Sequence, residues 1–208
     1  MAALGFRRSR EDTAVIPSLY DVIYADPPWK YNSRAHHKTR FRGGACGHYR
    51  LMRTDVICSL PVESLAAKNC MLFLWATFPM LADALRVVEA WGFRYCTAGF
   101  LWIKLNKNGT PFFGVGYYTK SNPEICLLAR RGSAIKPATN CISNLANAER
   151  REHSRKPDEV RRRIEELYPD ARRLELFARA NHEGWDSWGD ECECTADLAE
   201  RLKGHLTI

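Results

Sequence analysis

Four consecutive residues, Asp26-Pro27-Pro28-Trp29, directly follow an apolar, β-branched run from Leu19 to Ala25. Two prolines end ladder pairing, so the predicted strand stops there, at the carboxyl edge where open α/β sheets place their ligands. These residue types suit one kind of chemistry. An exocyclic amine such as adenine's is a poor nucleophile because its lone pair is delocalised into the ring. Acceptors for its two N–H groups help it become tetrahedral as it attacks. Asp26 supplies a carboxylate, and the carbonyl of Pro27, held rigid by the following proline, supplies a second acceptor. Trp29 offers a ring on which a base taken out of its stack can rest, a contact worth about 1 to 3 kcal/mol. A plain strand-ending turn with an exposed tryptophan is the weaker reading, because position and composition agree.

The elements that must hold these residues alternate in type, which predicts one α/β domain over residues 1–208, with a catalytic core over 19–191 and an extension over 192–208. The sheet is expected to be mostly parallel and twisted, with helices on both faces. Cys70 to Ala76 is nearly all apolar, as a strand covered on both faces requires. Thr77 and Pro79 start a helix with a Leu81, Leu85, Val88 stripe, and Gly92 ends it. Phe93 to Lys104 and Glu124 to Ala129 read as strands, with Asn108-Gly109 in the turn-rich stretch between them. Residues 30–48 and 132–150 lack periodicity and read as surface loops, the first one mobile. Pro157 opens a helix with Val160, Ile164 and Leu167 on one face and Arg161 to Arg163 on the other; Pro169 stops it. Arg173 to Ala178 is a further strand, and Thr195 to Lys203 a terminal helix.

Charge narrows the partner. The formal net charge is +7, and between Pro27 and Thr54 there are seven Lys or Arg and no acid. A second basic stretch runs from Arg150 to Arg163, whereas Glu183 to Glu200 carries only acids. Nucleic-acid backbone is the natural partner for the basic part, with Lys38, Arg40 and Arg42 as candidate phosphate contacts. No apolar run approaches the roughly 20 residues that cross a bilayer, and no secretory signal opens the chain, so a cytoplasmic protein without a membrane partner is expected. Cys58, Cys70, Cys96 and Cys126 lie in apolar segments and read as free thiols. His36, His37, Cys46 and His48 fit no zinc spacing, and no metal is assigned.

Asp26 to Trp29 resembles the signature of the DPPW-type, circularly permuted adenine-N6 methyltransferases. That family includes the messenger-RNA adenosine methyltransferase and its bacterial and phage DNA-methylating relatives. The likeness runs from about Tyr20 to Glu191 through several short motifs in one order: His48 to Met52, Leu72 to Trp75, Trp102 to Asn106, His153 to Glu159, Leu174 to Arg179 and Gly184 to Glu191. It implies a Rossmann-like, circularly permuted fold and S-adenosylmethionine as cofactor. The cofactor strand then lies near the C-terminus, at Arg173 to Ala178. Glu175, Phe177, Arg179, Asn181 and His182 are the implied cofactor contacts on and after it. Asp190 and Glu191 resemble the pair that closes on the ribose hydroxyls. Ser154 and Lys156, before the helix start at Pro157, are placed to hold the cofactor's carboxylate, and Asp26 is shared between cofactor and amine. Tyr49 and Trp102 match positions that contact the target base, with Lys104, Asn106 and Lys120 within phosphate reach. An aromatic in a strand is as often core, and core packing is the alternative reading of Trp102. The glycine-rich turn of dinucleotide sites is missing after Phe177, where Ala178-Arg179-Ala180-Asn181 stands.

The expected activity is methyl transfer to the 6-amino group of adenine in DNA, because a compact catalytic unit resembles the bacterial and phage branch. The alternatives are the same reaction on RNA, or a catalytically silent nucleic-acid-binding subunit. A homodimer is expected, since one small domain offers limited surface to nucleic acid.

Overall fold

The computed structural model describes residues 19–31, 51–116, 118–151 and 155–195. Seven strands form one sheet in the order β5-β3-β4-β2-β1-β6-β7. They are β1 (Tyr20–Ala25), β2 (Ala66–Thr77), β3 (Arg94–Leu105), β4 (Glu124–Arg131), β5 (Leu145–Glu149), β6 (Arg173–Leu176) and β7 (Trp185–Trp188). β4 pairs antiparallel with both β2 and β3, while every other pairing is parallel. Six strands therefore share one direction, and their carboxyl ends lie along one edge together with the first residue of β4, Glu124. This is the expected mostly parallel sheet with one reversed strand.

Alternation divides the central strands between two cores. Ile23 and Ala25 of β1, with Cys70, Leu72, Leu74 and Ala76 of β2, face helices α1 (Thr54–Cys58) and α2 (Leu81–Ala90) through Ile57, Ala84, Val87 and Val88. Val22 and Tyr24, with Met71, Phe73 and Trp75, face α3 (Asp158–Leu167) through Val160 and Ile164. Helices thus cover both faces, and each fully buried aliphatic side chain contributes roughly 1.5 to 3 kcal/mol.

Several boundaries differ from the sequence reading for local reasons. α2 buries Ala84, Val87 and Val88 more deeply than Leu81 and Leu85, so its buried stripe is rotated from the expected one. Thr77 makes no capping bond; its hydroxyl meets Tyr31 Oη at 2.8 Å. Gly92 does end α2, at φ 78°, with Phe93 N–H donating to the Val88 carbonyl, the bond that closes a left-handed helix end. Within 132–150, read as loop, Leu145–Glu149 forms edge strand β5, and Trp185–Trp188 adds β7, a strand not expected. Of the cysteines expected to be apolar filler, Cys70 and Cys126 are buried and free, whereas Cys96 is free and exposed. The basic loop at 32–48, with Lys38, Arg40 and Arg42, the terminal helix beyond Thr195, and Tyr49 and Ser154 lie outside the described residues. No helix among the described residues is long and apolar enough to cross a membrane.

β1 is the pivot of the layout. It pairs with β2 on one side and β6 on the other, Ala25 standing opposite Leu74 and Leu176. α1 joins β1 to β2 over one face, whereas α3 reaches β6 over the opposite face. The connections therefore diverge at the β1–β6 boundary, where open α/β sheets leave a crevice at their carboxyl ends. A strand late in the chain beside the first strand is also what a permuted order requires.

Candidate active site

Because Ala25 pairs with Leu176, the residues that leave the two strands, Asp26 and Phe177, emerge side by side. Phe177 is the one non-glycine among the described residues with positive φ, at 61°. An L-residue held there costs roughly 1 to 2 kcal/mol, so the turn is forced by its surroundings. Its ring stands edge-on to Trp188, centroids 5.5 Å apart, and Ala178 N–H donates to the Trp188 carbonyl at 2.9 Å. A Cβ on Gly189 would lie 2.1 Å from the Ala178 carbonyl oxygen, so only glycine lets the β7 exit run this close to the β6 exit. The exposed Asp190 and Glu191 are thereby carried to the same mouth.

The Asp-Pro-Pro-Trp turn is braced from within. Trp29 N–H donates to the Pro27 carbonyl at 2.9 Å and Met52 N–H to the Pro28 carbonyl at 2.7 Å. The Pro27 oxygen keeps a second lone pair for another donor. Trp29 itself is 6% exposed, packed in the core on the α2 side, with its indole N–H on the Trp75 carbonyl at 3.0 Å. This corrects the expectation of an open stacking platform: the ring anchors the turn.

A chain of alternating charge runs through the site. Lys156 Nζ lies 2.7 Å from both Asp26 carboxylate oxygens and 3.3 Å from Glu124 Oε2, while Lys104 Nζ lies 2.6 Å from Glu124 Oε1. Burial pushes the Asp26 carboxyl above its usual range, more than the Lys156 ammonium pulls it down, and the Arg179 cation adds a smaller downward pull. Burial also opposes ionisation of Glu124, but two ammonium groups outweigh it and hold that carboxyl below its ordinary value. Lys156 feels the converse: burial disfavours its charge, and Asp26 and Glu124 together raise it well above the usual lysine value. Two cations and two anions balance, which is how four largely buried charges persist. Lys156, expected to hold the cofactor's carboxylate, engages Asp26 and Glu124. Glu124, absent from the sequence candidates, is the node of the network.

The other candidates divide. Arg179 is half-buried and near enough to Asp26 for its charge to be felt there. His182 follows it; burial and the Arg161 cation push its imidazole below its ordinary value, favouring the neutral ring at neutral pH. Glu175 forms a two-pronged ion pair with Arg161 of α3, at 3.0 and 3.2 Å, and so clamps helix to sheet. Asn181 is taken up by the Glu193 backbone through bonds of 2.7 and 3.0 Å, fastening the segment after β7. Trp102 is 1% exposed in the core on the α3 side, its N–H on the Ala148 carbonyl at 2.9 Å, so it is core and not a base contact. Lys104 is committed to Glu124 rather than to phosphate. Asn106 ties its own turn through Thr110 and Pro111, and Lys120 is exposed on the β3–β4 connection.

Residues 20–191 match the MT-A70 family, the same span over which the short motifs lie. The chain belongs to the MT-A70 family. This is a family of adenine-N6 methyltransferases, and the sheet described above is its α/β Rossmann-like fold. Among its relatives, the type II methyltransferase M.MunI of a Mycoplasma species is 34% identical over 186 residues, covering 83% of this chain and 77% of that protein. The N6-methyladenosine RNA methyltransferase MTA1 of Cryphonectria parasitica is 30% identical over 190 residues, 88% of this chain and 54% of its own length. The human N(6)-adenine-specific methyltransferase METTL4 is 28% identical over 187 residues, 83% and 37% respectively. This MT-A70 chain thus spans most of the bacterial relative and about half or less of these two eukaryotic ones.

Proposed function

We propose that this MT-A70 protein transfers a methyl group from S-adenosylmethionine to the 6-amino group of an adenine in DNA. The observation that carries the reading is the Asp26–Lys156 pair at the junction of the β1 and β6 exits. A methionine-type zwitterion presents an ammonium and a carboxylate. It can divide that pair, the ammonium going to Asp26 and the carboxylate to Lys156, while Glu124 keeps Lys156 compensated. The donor set therefore fits the amino-acid part of the cofactor. The exposed carboxylates of Asp190 and Glu191 suit the ribose diol, and the Phe177 ring suits a flat base. When bound, the cofactor supplies an electrophilic methyl group on a sulfonium.

The chain's own part is to hold and polarise the amine. Asp26 carboxylate and Pro27 carbonyl accept its two N–H groups, drawing the nitrogen toward tetrahedral geometry as its lone pair leaves the ring. An acceptor aimed at charge that develops only in the transition state is typically worth about 10²- to 10³-fold in rate. Each Asp26 oxygen accepts from Lys156 and keeps a second lone pair, so the carboxylate can accept from the amine with this ion pair in place.

DNA is favoured by the bacterial relative, of which this chain spans the larger share. The RNA reading is favoured by the similarity to MTA1. A homodimer belongs to the same proposal, and sedimentation of the active protein tests it. Transfer of a labelled methyl group from S-adenosylmethionine to DNA and RNA of matched sequence separates the substrates. Label in DNA is the expected result; label in RNA alone reassigns the substrate; label in neither leaves the silent-subunit reading.

A further inference from the structure

The connection between β3 and β4 is a built projection. Lys104 N–H donates to the Asn122 side-chain oxygen at 2.9 Å, and the Asn122 amide donates to the carbonyls of Lys104 (2.9 Å) and Phe112. Gly114 and Ser121 bridge the two limbs, with N–H to carbonyl distances of 2.7 and 3.2 Å. Gly116 passes so close to the Thr119 carbonyl oxygen that a Cβ would meet it at 2.2 Å. The Arg150 guanidinium stacks on Phe112, 3.5 Å from the ring centroid. Against this ordered base, the rim turns apolar side chains outward: Phe113 is 61% exposed, Val115 92% and Tyr118 fully exposed. Three large apolar groups on one loop, held out by a specific hydrogen-bond frame, mark a contact surface.

Charge selects the occupant. From Ala90 to Pro123 there is no acidic residue, and Lys107 and Lys120 flank the exposed side chains with Arg150 behind them. A second copy meeting this surface across a two-fold axis would set these cations against themselves. A polyanion with stackable faces satisfies both features, since aromatic platforms beside cations are what single-stranded and flipped-out nucleic acid requires. Position agrees: the projection rises from the end of β3 and the start of β4, on the same edge as Asp26. Its base contains Lys104 and Glu124, the outer half of the charge chain that ends on Asp26. β3 lies three strand spacings from β1, roughly 15 Å. At about 3.4 Å per nucleotide along one strand, that reach is about four nucleotides from a target held at Asp26.

We infer that the 106–123 projection grips the nucleic-acid strand flanking the target adenine, stacking Phe113 and Tyr118 on bases a few nucleotides away. The inference rests on the proposed methyltransferase reading. Its test compares an adenine-containing oligonucleotide long enough to reach the projection with a trinucleotide too short to do so. Both are measured as DNA and as RNA, with wild type, Tyr118→Ala, and the pair Phe113→Ala with Tyr118→Ala. The wild-type preference for the long substrate, as the ratio of kcat/KM values, should fall about 10- to 100-fold in the double variant, with a parallel loss of binding to the long oligonucleotide. Tyr118→Ala alone should show a smaller loss in the same direction, and because that side chain is wholly in solvent its fold is unaffected. An unchanged preference in both variants overturns the inference while the methyltransferase reading stands. A wild-type dimer that dissociates in the variants, with affinity per site unchanged, also overturns it and assigns the surface to self-association. Failure of the wild type to bind either polymer overturns the underlying reading and the inference with it.

Discussion

Replacing Lys156 with methionine keeps the length of the side chain and deletes the cation that joins Asp26 to Glu124. The three side chains are 11%, 20% and 9% exposed, so solvent replaces little of what is lost. A charge pair about 4 Å apart at an effective dielectric near 20 is worth about 4 kcal/mol, and removing one partner of a buried pair typically costs about 3 to 5 kcal/mol. Glu124 keeps Lys104 at 2.6 Å, whereas Asp26 keeps only the weaker pull of the Arg179 cation. We therefore expect Lys156→Met to lose about 3 kcal/mol of unfolding free energy at pH 8. The pH dependence has a definite sign. Burial already raises the Asp26 carboxyl, and without Lys156 it rises further. Between the unfolded and folded values the native state then holds a proton that the unfolded chain does not, so stability falls as pH rises through that window. The deficit relative to wild type should be full above the raised Asp26 value and should shrink as pH falls toward the ordinary carboxylate range. Urea unfolding at pH 5 and pH 8 measures it. Adding Asp26→Asn to Lys156→Met should recover most of the loss at pH 8, the non-additivity of groups acting as a unit. A deficit under about 1 kcal/mol at pH 8, as for a solvent-exposed pair, or one that does not change with pH, refutes the electrostatic account.

Two other predictions concern the cofactor-side turn and the basic loop. At Phe177, glycine should be more stable than alanine by roughly 1 kcal/mol in urea unfolding, because both remove the ring that meets Trp188 but only alanine keeps the left-handed strain; equal stabilities would mean the turn relaxes. Neutralising Lys38, Arg40 and Arg42 together should reduce the slope of log affinity for DNA against log salt by about three, one unit for each phosphate no longer paired with a cation; an unchanged slope would place those charges away from the nucleic acid.

Much of this site is legible in the sequence where a local pattern fixes a local outcome. An apolar run ended by two prolines can only be a strand that stops, and Asp26 therefore sits at a sheet edge. Pro157 and the Val160–Ile164 spacing likewise locate α3 without help from the rest of the chain. β5 escapes notice because it is a five-residue edge strand with one fully buried side chain, Ala146, too little burial to impose a period on Leu-Ala-Asn-Ala-Glu. Glu124 escapes for a different reason. Nothing beside it in sequence distinguishes it, and its role exists only when β3 delivers Lys104 and the approach to α3 delivers Lys156. Trp29 and Trp102 show the reverse error, in which a residue type common at base-binding sites is consumed by packing. Their indole N–H groups are satisfied by backbone carbonyls, a condition that sequence does not reveal.

In the proposed reaction Asp26 grips the amine at the exit of β1 while the cofactor lies against the exit of β6. Labelled-methyl transfer to adenine-containing DNA by Asp26→Ala, compared with wild type at saturating S-adenosylmethionine, tests it most directly. Glu124 still neutralises Lys156 in that variant, so the fold should persist in circular dichroism. Transfer should fall at least about 10²-fold. Transfer within a few-fold of wild type would contradict the account.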